Sequence, residues 1–357
     1  MNRLIYLLLI FTILLSTFGC GASPNHGAPN GEGPGDDFWG DDGYPGEPLV
    51  SMGELDFVWS DNENGYYVYE KDGSVNKDVI IPSTYEGKPV VGIGRHAFGA
   101  YSKVENVYIP DSIKTIDSQA FNYCDYLKNV VFSSNSGLLY IKDYAFYNCK
   151  SIESINIPAS VIEIGYRVFS TCPSLVNITV DEQNERYCSS NGAVYSKDMK
   201  TLVLVAPASY ISNEIIPGDK ENLSQIIIPY GIEVIGAGAF SECDNLYSIY
   251  IPDSVISIEK AAFAYCDSLT EIVFGENSQL KTIGESSFRE CASLAEMNIP
   301  KNVNVIGRYA FYCDNALISF NFDGTTESWS EIEKGEKWDV NTGNYVINCT
   351  NGVISKE

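Results

Sequence analysis

The stretch that decides the fold is LYSIYIP (246–252) followed by ISIEKAAFAYC (256–266). In the first segment Leu246, Ile249 and Ile251 are apolar, while Ser248 and Tyr250 stand between and beside them. Alternation at period two marks a strand with one buried face. Working outward, the same form, apolar-x-x-apolar-x-apolar, recurs as VENVYIP (104–110), LKNVVFS (127–133), IESINIP (152–158), LVNITVD (175–181), LSQIIIP (223–229), LTEIVFG (269–275), LAEMNIP (294–300) and LISFNFD (317–323). Successive copies are separated by 23, 25, 23, 48, 23, 23, 25 and 23 residues, the 48 being one interrupted double interval. The fourth row runs Val107, Val130, Ile155, Ile178, Ile226, Ile249, Ile272, Met297 and Phe320, and the sixth from Ile109 to Phe322 is equally apolar. The third row is polar throughout, from Asn106 to Ser319, and is expected to be exposed.

The second segment also repeats, with consensus I-G-x-x-A-F-x-x-C: VGIGRHAFGAY (91–101), KTIDSQAFNYC (114–124), LYIKDYAFYNC (139–149), IEIGYRVFSTC (162–172), EVIGAGAFSEC (233–243), KTIGESSFREC (281–291) and NVIGRYAFYC (304–313). Its Ile and Phe are expected to face inward, and its small Ala lets coils approach closely. Self-similarity at this period means a solenoid, in which each unit buries its apolar face only against its neighbours. No stretch sustains a helical period, so strands, turns and short 3₁₀ segments are expected.

The alternation of L-x-x-I-x-I-P with I-G-x-x-A-F-x-x-C resembles the BspA-like leucine-rich repeats of bacterial and protozoan surface proteins, over roughly residues 57–325. VIIPSTYEGKPVVGIGRHAF (79–98) resembles the family's opening coil, and TTESWSEIEKGEKWDV with YVINCTNGVI (325–354) its C-terminal segment. The fold expected is a β-rich leucine-rich-repeat solenoid, a right-handed superhelix with a parallel sheet and few or no long helices. About eight to nine coils of 23–25 residues are expected. A capping coil would occupy 51–101, the repeats 102–324 with a β-hairpin interruption near 184–215, and a C-terminal cap 325–357. The interruption contains NGAVYSKDMKTLVLVAP (191–207), two β-rich runs around a Lys-Asp-Met-Lys turn.

Seven of the ten cysteines follow the Phe motif: Cys124, Cys149, Cys172, Cys243, Cys266, Cys291 and Cys313. One per coil at an equivalent place reads as a structural ladder of buried thiols rather than a disulfide framework, because pairing would turn side chains along the stack and away from the core. A thiol there can weakly donate to a backbone carbonyl. Cys313 comes one residue early, and Asp314 takes its place; Tyr101 does so in the first coil. Cys188 and Cys349 lie off the ladder and are either free or paired. The absence of Cys-x-x-Cys with a nearby histidine argues against a metal site. No cofactor is expected.

The N-terminus reads MNRLIYLLLIFTILLSTFGC (1–20), a charged start and an apolar run too short for a comfortable membrane span. Gly19-Cys20 resembles a bacterial lipoprotein signal, with residues 1–19 removed and lipid attached to Cys20, although Thr17 and Phe18 depart from the usual residues. The alternative is ordinary cleavage after Ala22, giving a soluble secreted protein. Residues 20–50 then form an acidic Gly/Pro/Asp linker. Its central 28 residues, 21–48, reach on the order of 30 Å as a coil.

Function classes narrow by charge. With 23 Lys and Arg against 47 Asp and Glu, the net charge of −24 argues against nucleic acid and against docking on anionic lipid. Only His26 and His96 are present, which removes most acid–base chemistry; His96 reads as an ordinary variable position. Abundant carboxylates neither establish nor remove a glycosidase-like pair. Asp61-Asn62-Glu63-Asn64-Gly65 reads as a turn rather than a calcium loop. Asn177, Asn222 and Asn348 begin glycosylation sequons, idle in a bacterial source.

The informative variation lies in the fifth strand row: Tyr108, Val131, Asn156, Thr179, Ile227, Tyr250, Val273, Asn298 and Asn321. These share the exposed side of the sheet, and Tyr108, Asn156, Tyr250 and Asn298 are the candidate ligand-binding residues. The resemblance implies non-enzymatic recognition or adhesion at the cell surface through a protein partner, with the membrane reached only through the lipid anchor. A glycan-binding surface lipoprotein is the alternative. Glycan binding calls for aromatics clustered within one or two coils, protein adhesion for a long, dispersed face.

Overall fold

The computed structural model describes residues 50–52, 55–71, 77–99, 102–208 and 225–356. Cys20, the linker up to residue 49 and Tyr101 lie outside them, as do Asn222 and the C-terminal end of the interruption.

Two series of parallel strands repeat along the stack, each divided into shorter ladders. The long-strand ladder holds the period-two motif. Asp78–Ile80 pairs with Asn106–Ile109 and that with Asn129–Phe132; Ser154–Ile157 pairs with Asn177–Val180. Beyond the interruption, Gln225–Ile227, Ser248–Ile251 and Glu271–Phe274 pair in order, then Glu296–Ile299, Ser319–Phe322 and Val346–Cys349. Register is one repeat per step, so like residues stack on like.

The count is about eleven coils rather than eight to nine. The two extra strands are Asp78–Ile80 and Val346–Cys349, in the flanks read as caps. Each keeps apolar residues at the fourth and sixth positions, Val79 with Ile81 and Ile347 with Cys349, but lacks the full motif.

The second ladder runs through the I-G motif, the six-residue Lys88–Ile93 followed by the two-residue Thr115–Ile116, Tyr140–Ile141 and Glu163–Ile164 in one series and Val234–Ile235 through Glu333–Lys334 in the other. An antiparallel meander, Val50–Met52, Leu55–Ser60 and Gly65–Glu70, begins the first series. Asp61–Asn64 makes its turn, with Asn64 in the left-handed region. The interruption is a three-stranded antiparallel unit, Tyr187–Ser190, Ala193–Ser196 and Thr201–Val205, whose last strand pairs in parallel with Val234–Ile235. One six-residue helix, Thr326–Glu331, carries a capping box between Thr325 and Ser328.

The core lies between the ladders. Phe98, Phe121, Phe146 and Phe169 stack with ring centroids 5.1–5.4 Å apart. Phe240, Phe263, Phe288 and Phe311 form a second column at 5.0–5.4 Å. Offset aromatic pairs add about 0.5–1.5 kcal/mol each beyond their buried area. The residue before each Phe is buried, as at Ala120, Ala145, Ala262 and Ala310, with Val168 before Phe169 and Ser287 before Phe288.

Tight turning at this side has a backbone cause. The residue before Ala-Phe has positive φ in coil after coil: His96, Gln119, Tyr144, Arg167, Gly238, Ala261, Ser286 and Tyr309. The residue before the cysteine does the same, as at Tyr123, Asn148, Glu242, Tyr265 and Glu290. His96 shares this left-handed backbone with its counterparts in the other coils, a conformation costing most L-residues about 1–2 kcal/mol that repeated stacking must offset.

Candidate functional site

The sheet face follows from strand alternation. Most third- and fifth-row side chains point to solvent, but two expectations need correcting. Ser248 and Ser319 of the third row are buried, not exposed. Each is short and sits between longer neighbours in register, Glu271 beside Ser248, and Glu296 with Val346 beside Ser319. Conversely Val130, Phe132 and Phe274, from the two apolar rows, are only half-buried. The long-strand ladder is broken on one side of Asn129–Phe132 and of Glu271–Phe274, each of which opens a 25-residue coil, so no paired strand covers that edge.

The four candidate residues are spread along this face and form no pocket together. Tyr108 is 43% exposed, in register with Ile80, 73% exposed, and with Val131, 44% exposed. Tyr250 is half-buried, in register with Ile227 and Val273. Asn156 and Asn298 are exposed, and both are held. Thr179 Oγ1 donates to Asn156 Oδ1 at 2.9 Å, and Asn321 Nδ2 donates to Asn298 Oδ1 at 3.2 Å. Asn348 Nδ2 continues that run by donating to Asn321 Oδ1 at 2.8 Å. A third-row counterpart links Asn129 Nδ2 to Asn106 Oδ1 at 2.6 Å. Such amide ladders orient side chains along the stack axis, so the same groups both tie coils together and present fixed polar atoms.

Just before the strand that carries Tyr108, Glu105 bridges Lys77 and Lys128, which hold its carboxyl down at about 2, Lys128 contributing most. The third and fifth rows carry Asp78, Glu271 and Glu296 and contain neither Lys nor Arg.

The cysteine column lies on the other side of the core. Cys124, Cys149, Cys172, Cys243, Cys266 and Cys291 are free and buried. The thiols of Cys149, Cys172, Cys266 and Cys291 donate to the Phe carbonyl of the preceding coil, at 3.1, 3.1, 3.0 and 3.2 Å. Burial pushes the thiols of Cys124, Cys149, Cys266 and Cys291 well above the ordinary range, so they are poor nucleophiles. Cys313 is half-buried, and Asp314 occupies the column. Cys188 and Cys349 are free and half-buried. Among the described residues no group of three or more His, Cys, Asp or Glu is placed to hold a metal ion.

One feature has no counterpart in the sequence pattern. At the interruption the Arg167 guanidinium reaches Glu242, Nη2 3.0 Å from Oε1, and its Nε donates to Ser241 Oγ at 2.8 Å. Tyr166 and Tyr265 flank the guanidinium. The crevice beside it is no larger than a water.

With strands, Phe columns and cysteine columns placed, the match to the BspA type leucine rich repeat region, in six copies over residues 91–218 and 209–332, is decisive. The chain belongs to the BspA-type leucine-rich-repeat family. Two solved structures share this BspA-type architecture. The pneumococcal vaccine antigen PcpA is 19% identical, with 85% of this chain and 88% of that one covered and a TM-score of 0.59. A leucine-rich cell surface protein of Faecalibacterium prausnitzii is also 19% identical, with 80% and 98% covered and a TM-score of 0.50. At this identity they establish the BspA-type fold alone. No curated protein sequence matches this chain.

Proposed function

We propose that this is a non-enzymatic recognition module of the cell surface that binds a protein partner through the exposed face of the long-strand ladder. The observation carrying this reading is the dispersion of that face. Its tyrosines Tyr108 and Tyr250 stand five coil steps and an interruption apart, each beside aliphatic neighbours, and its amides are fixed in ladders. A sugar site calls for aromatic platforms gathered in one place; an extended protein contact suits a long row. Family membership supports a surface role, and the Gly19-Cys20 signal supports lipid anchoring at Cys20 through the acidic linker.

The test is a screen of the mature chain on arrays of glycans and of extracellular-matrix and cell-surface proteins. Capture on protein spots, weakened by more than about 1 kcal/mol in Tyr250→Ala and Asn298→Ala, is the expected result. Capture confined to glycans, or unchanged in both variants, overturns it. For the anchor, Cys20→Ala should lose detergent partitioning, and an unmodified Cys20 in mature wild-type protein would remove the lipoprotein reading.

A further inference from the structure

Residues 104–181 align with 246–323 without a gap, and 30 of these 78 positions are identical. The four coils before the interruption and the four that end at Asp323 are thus two copies of one unit. The 25-residue coil comes second in both, and the long-strand ladder breaks at the same point, after Asn129–Phe132 and after Glu271–Phe274.

What the copies keep on their exposed face is selective. In the third row nothing is retained: Asn106, Asn129, Ser154 and Asn177 have become Ser248, Glu271, Glu296 and Ser319. In the fifth row, on the same side of the same strands, Tyr-Val-Asn is retained outright, Tyr108-Val131-Asn156 against Tyr250-Val273-Asn298. The fourth pair differs, Thr179 and Asn321, yet makes the same bond, each donating to the Oδ1 of the asparagine before it. An isoleucine leads each row, Ile80 in register with Tyr108 and Ile227 in register with Tyr250. The ladder bonds give the asparagines a part in the stack, but no described side-chain bond holds the Tyr and Val of this row, while the fold accepted a change at every neighbouring third-row position. A common contact accounts for the difference.

Resting on the surface reading above, we propose that the chain is bivalent: Tyr108-Val131-Asn156 and Tyr250-Val273-Asn298 are two equivalent subsites for one polypeptide that repeats in tandem. The long strands of both copies pair in parallel and in the same chain sense, so both subsites run the same way along the stack. A partner with two-fold symmetry would present its copies head to head and does not fit; a tandem repeat does. Five coil steps and the interruption put the subsites about 25–30 Å apart at roughly 4.8 Å per step. Each subsite offers a tyrosine ring, branched aliphatic groups and one fixed amide. Carboxylates but no cations share the two rows in a chain of charge −24, so the bound segment carries apolar side chains flanked by Lys or Arg.

The probe is a set of peptides selected from a random phage library on the full mature chain, counter-selected against a variant with Tyr108→Ala, Val131→Ser, Tyr250→Ala and Val273→Ser together. Titration calorimetry should give two peptides per wild-type chain, one per chain for either half-variant and none for the combined one. Circular dichroism and melting temperature check that each variant is folded. Two copies of the peptide on a flexible linker spanning about 30 Å should bind wild type some 10²–10⁴-fold more tightly than one copy, a gain lost in either half-variant. One peptide per chain, abolished by a single half-variant, overturns bivalence and leaves the surface reading standing. Peptides that still bind the combined variant, or none surviving counter-selection, overturn both.

Discussion

Arg167 and Glu242 meet across the interruption, Nη2 to Oε1 at 3.0 Å, with only 6% and 12% of their side chains exposed. They come from the last I-G motif before the hairpin and the first one after it. Tyr147 Oη also donates to Glu242, at 3.3 Å, tying a third coil to the junction. Breaking a buried pair strands a charge, so Arg167→Ala should cost about 3–5 kcal/mol in urea denaturation. Arg167→Met with Glu242→Leu should recover most of that. A double variant no better than Arg167→Ala would mean that the pair contributes more than mutual neutralisation.

Asp314 stands where other coils place a thiol. Its Oδ1 accepts the Cys291 backbone N–H at 2.7 Å, and its Oδ2 is buried without a hydrogen-bond partner. Burial raises its carboxyl well above the usual range; the Cys291 N–H opposes this and Glu290 adds to it. An unfolded Asp titrates near about 4. Above that pH the folded state holds a proton that the unfolded state has released, so this group's contribution to stability falls as pH rises toward the folded value. Asp314→Cys should remove that decline and gain about 1–3 kcal/mol at pH 8, with little gain at pH 4. Equal pH slopes for the two proteins would show an ionised Asp314.

Cys266 tests the thiol column. Its Sγ lies 3.0 Å from the Phe240 carbonyl oxygen and is buried. Alkylation should require unfolding but no reductant. Cys266→Ser should destabilise by about 1–3 kcal/mol, because a more polar hydroxyl is buried with the same imperfect acceptor. A native disulfide in non-reducing peptide mapping would refute this.

Asn321→Ala removes the donor to Asn298 and the acceptor for Asn348 at one stroke. The side chain is partly exposed, so a loss of about 0.5–1.5 kcal/mol is expected. A melting curve unchanged within error would mean that water replaces the ladder fully.

Much of this was legible in residues and spacing. Ile249 and Ile251 alternating with Ser248 and Tyr250 announce a strand, and nine repetitions announce a stack. The two-residue ladder was not, because Thr115–Ile116 is too short to show alternation. The end coils escaped the count because Asp78–Ile80 and Val346–Cys349 keep only two apolar positions each and lack the rest of the motif; the second of them pairs on its outer side with the antiparallel strand Gly352–Ser355 instead of another coil. Left-handed backbone at Gln119, Tyr144 or Ser286 left no mark, since these side chains are not the usual sign of positive φ. The Arg167–Glu242 pair depends on what the hairpin brings together, which no periodicity encodes. On the sheet face, alternation located the fifth row, but the burial of Ser248 depends on the length of its neighbour Glu271.

The ladder hydrogen bonds run along the stack axis, from each coil to the next. A chain held at its N-terminus and pulled through a bound partner therefore carries load parallel to those bonds, and they break coil by coil rather than all at once. Each coil released adds 23 or 25 residues, about 80 Å of extended chain. Loaded in that way, the solenoid lengthens in steps rather than failing at once. In single-molecule stretching the record should be a staircase of such increments, with the largest step where the hairpin and its double interval give way.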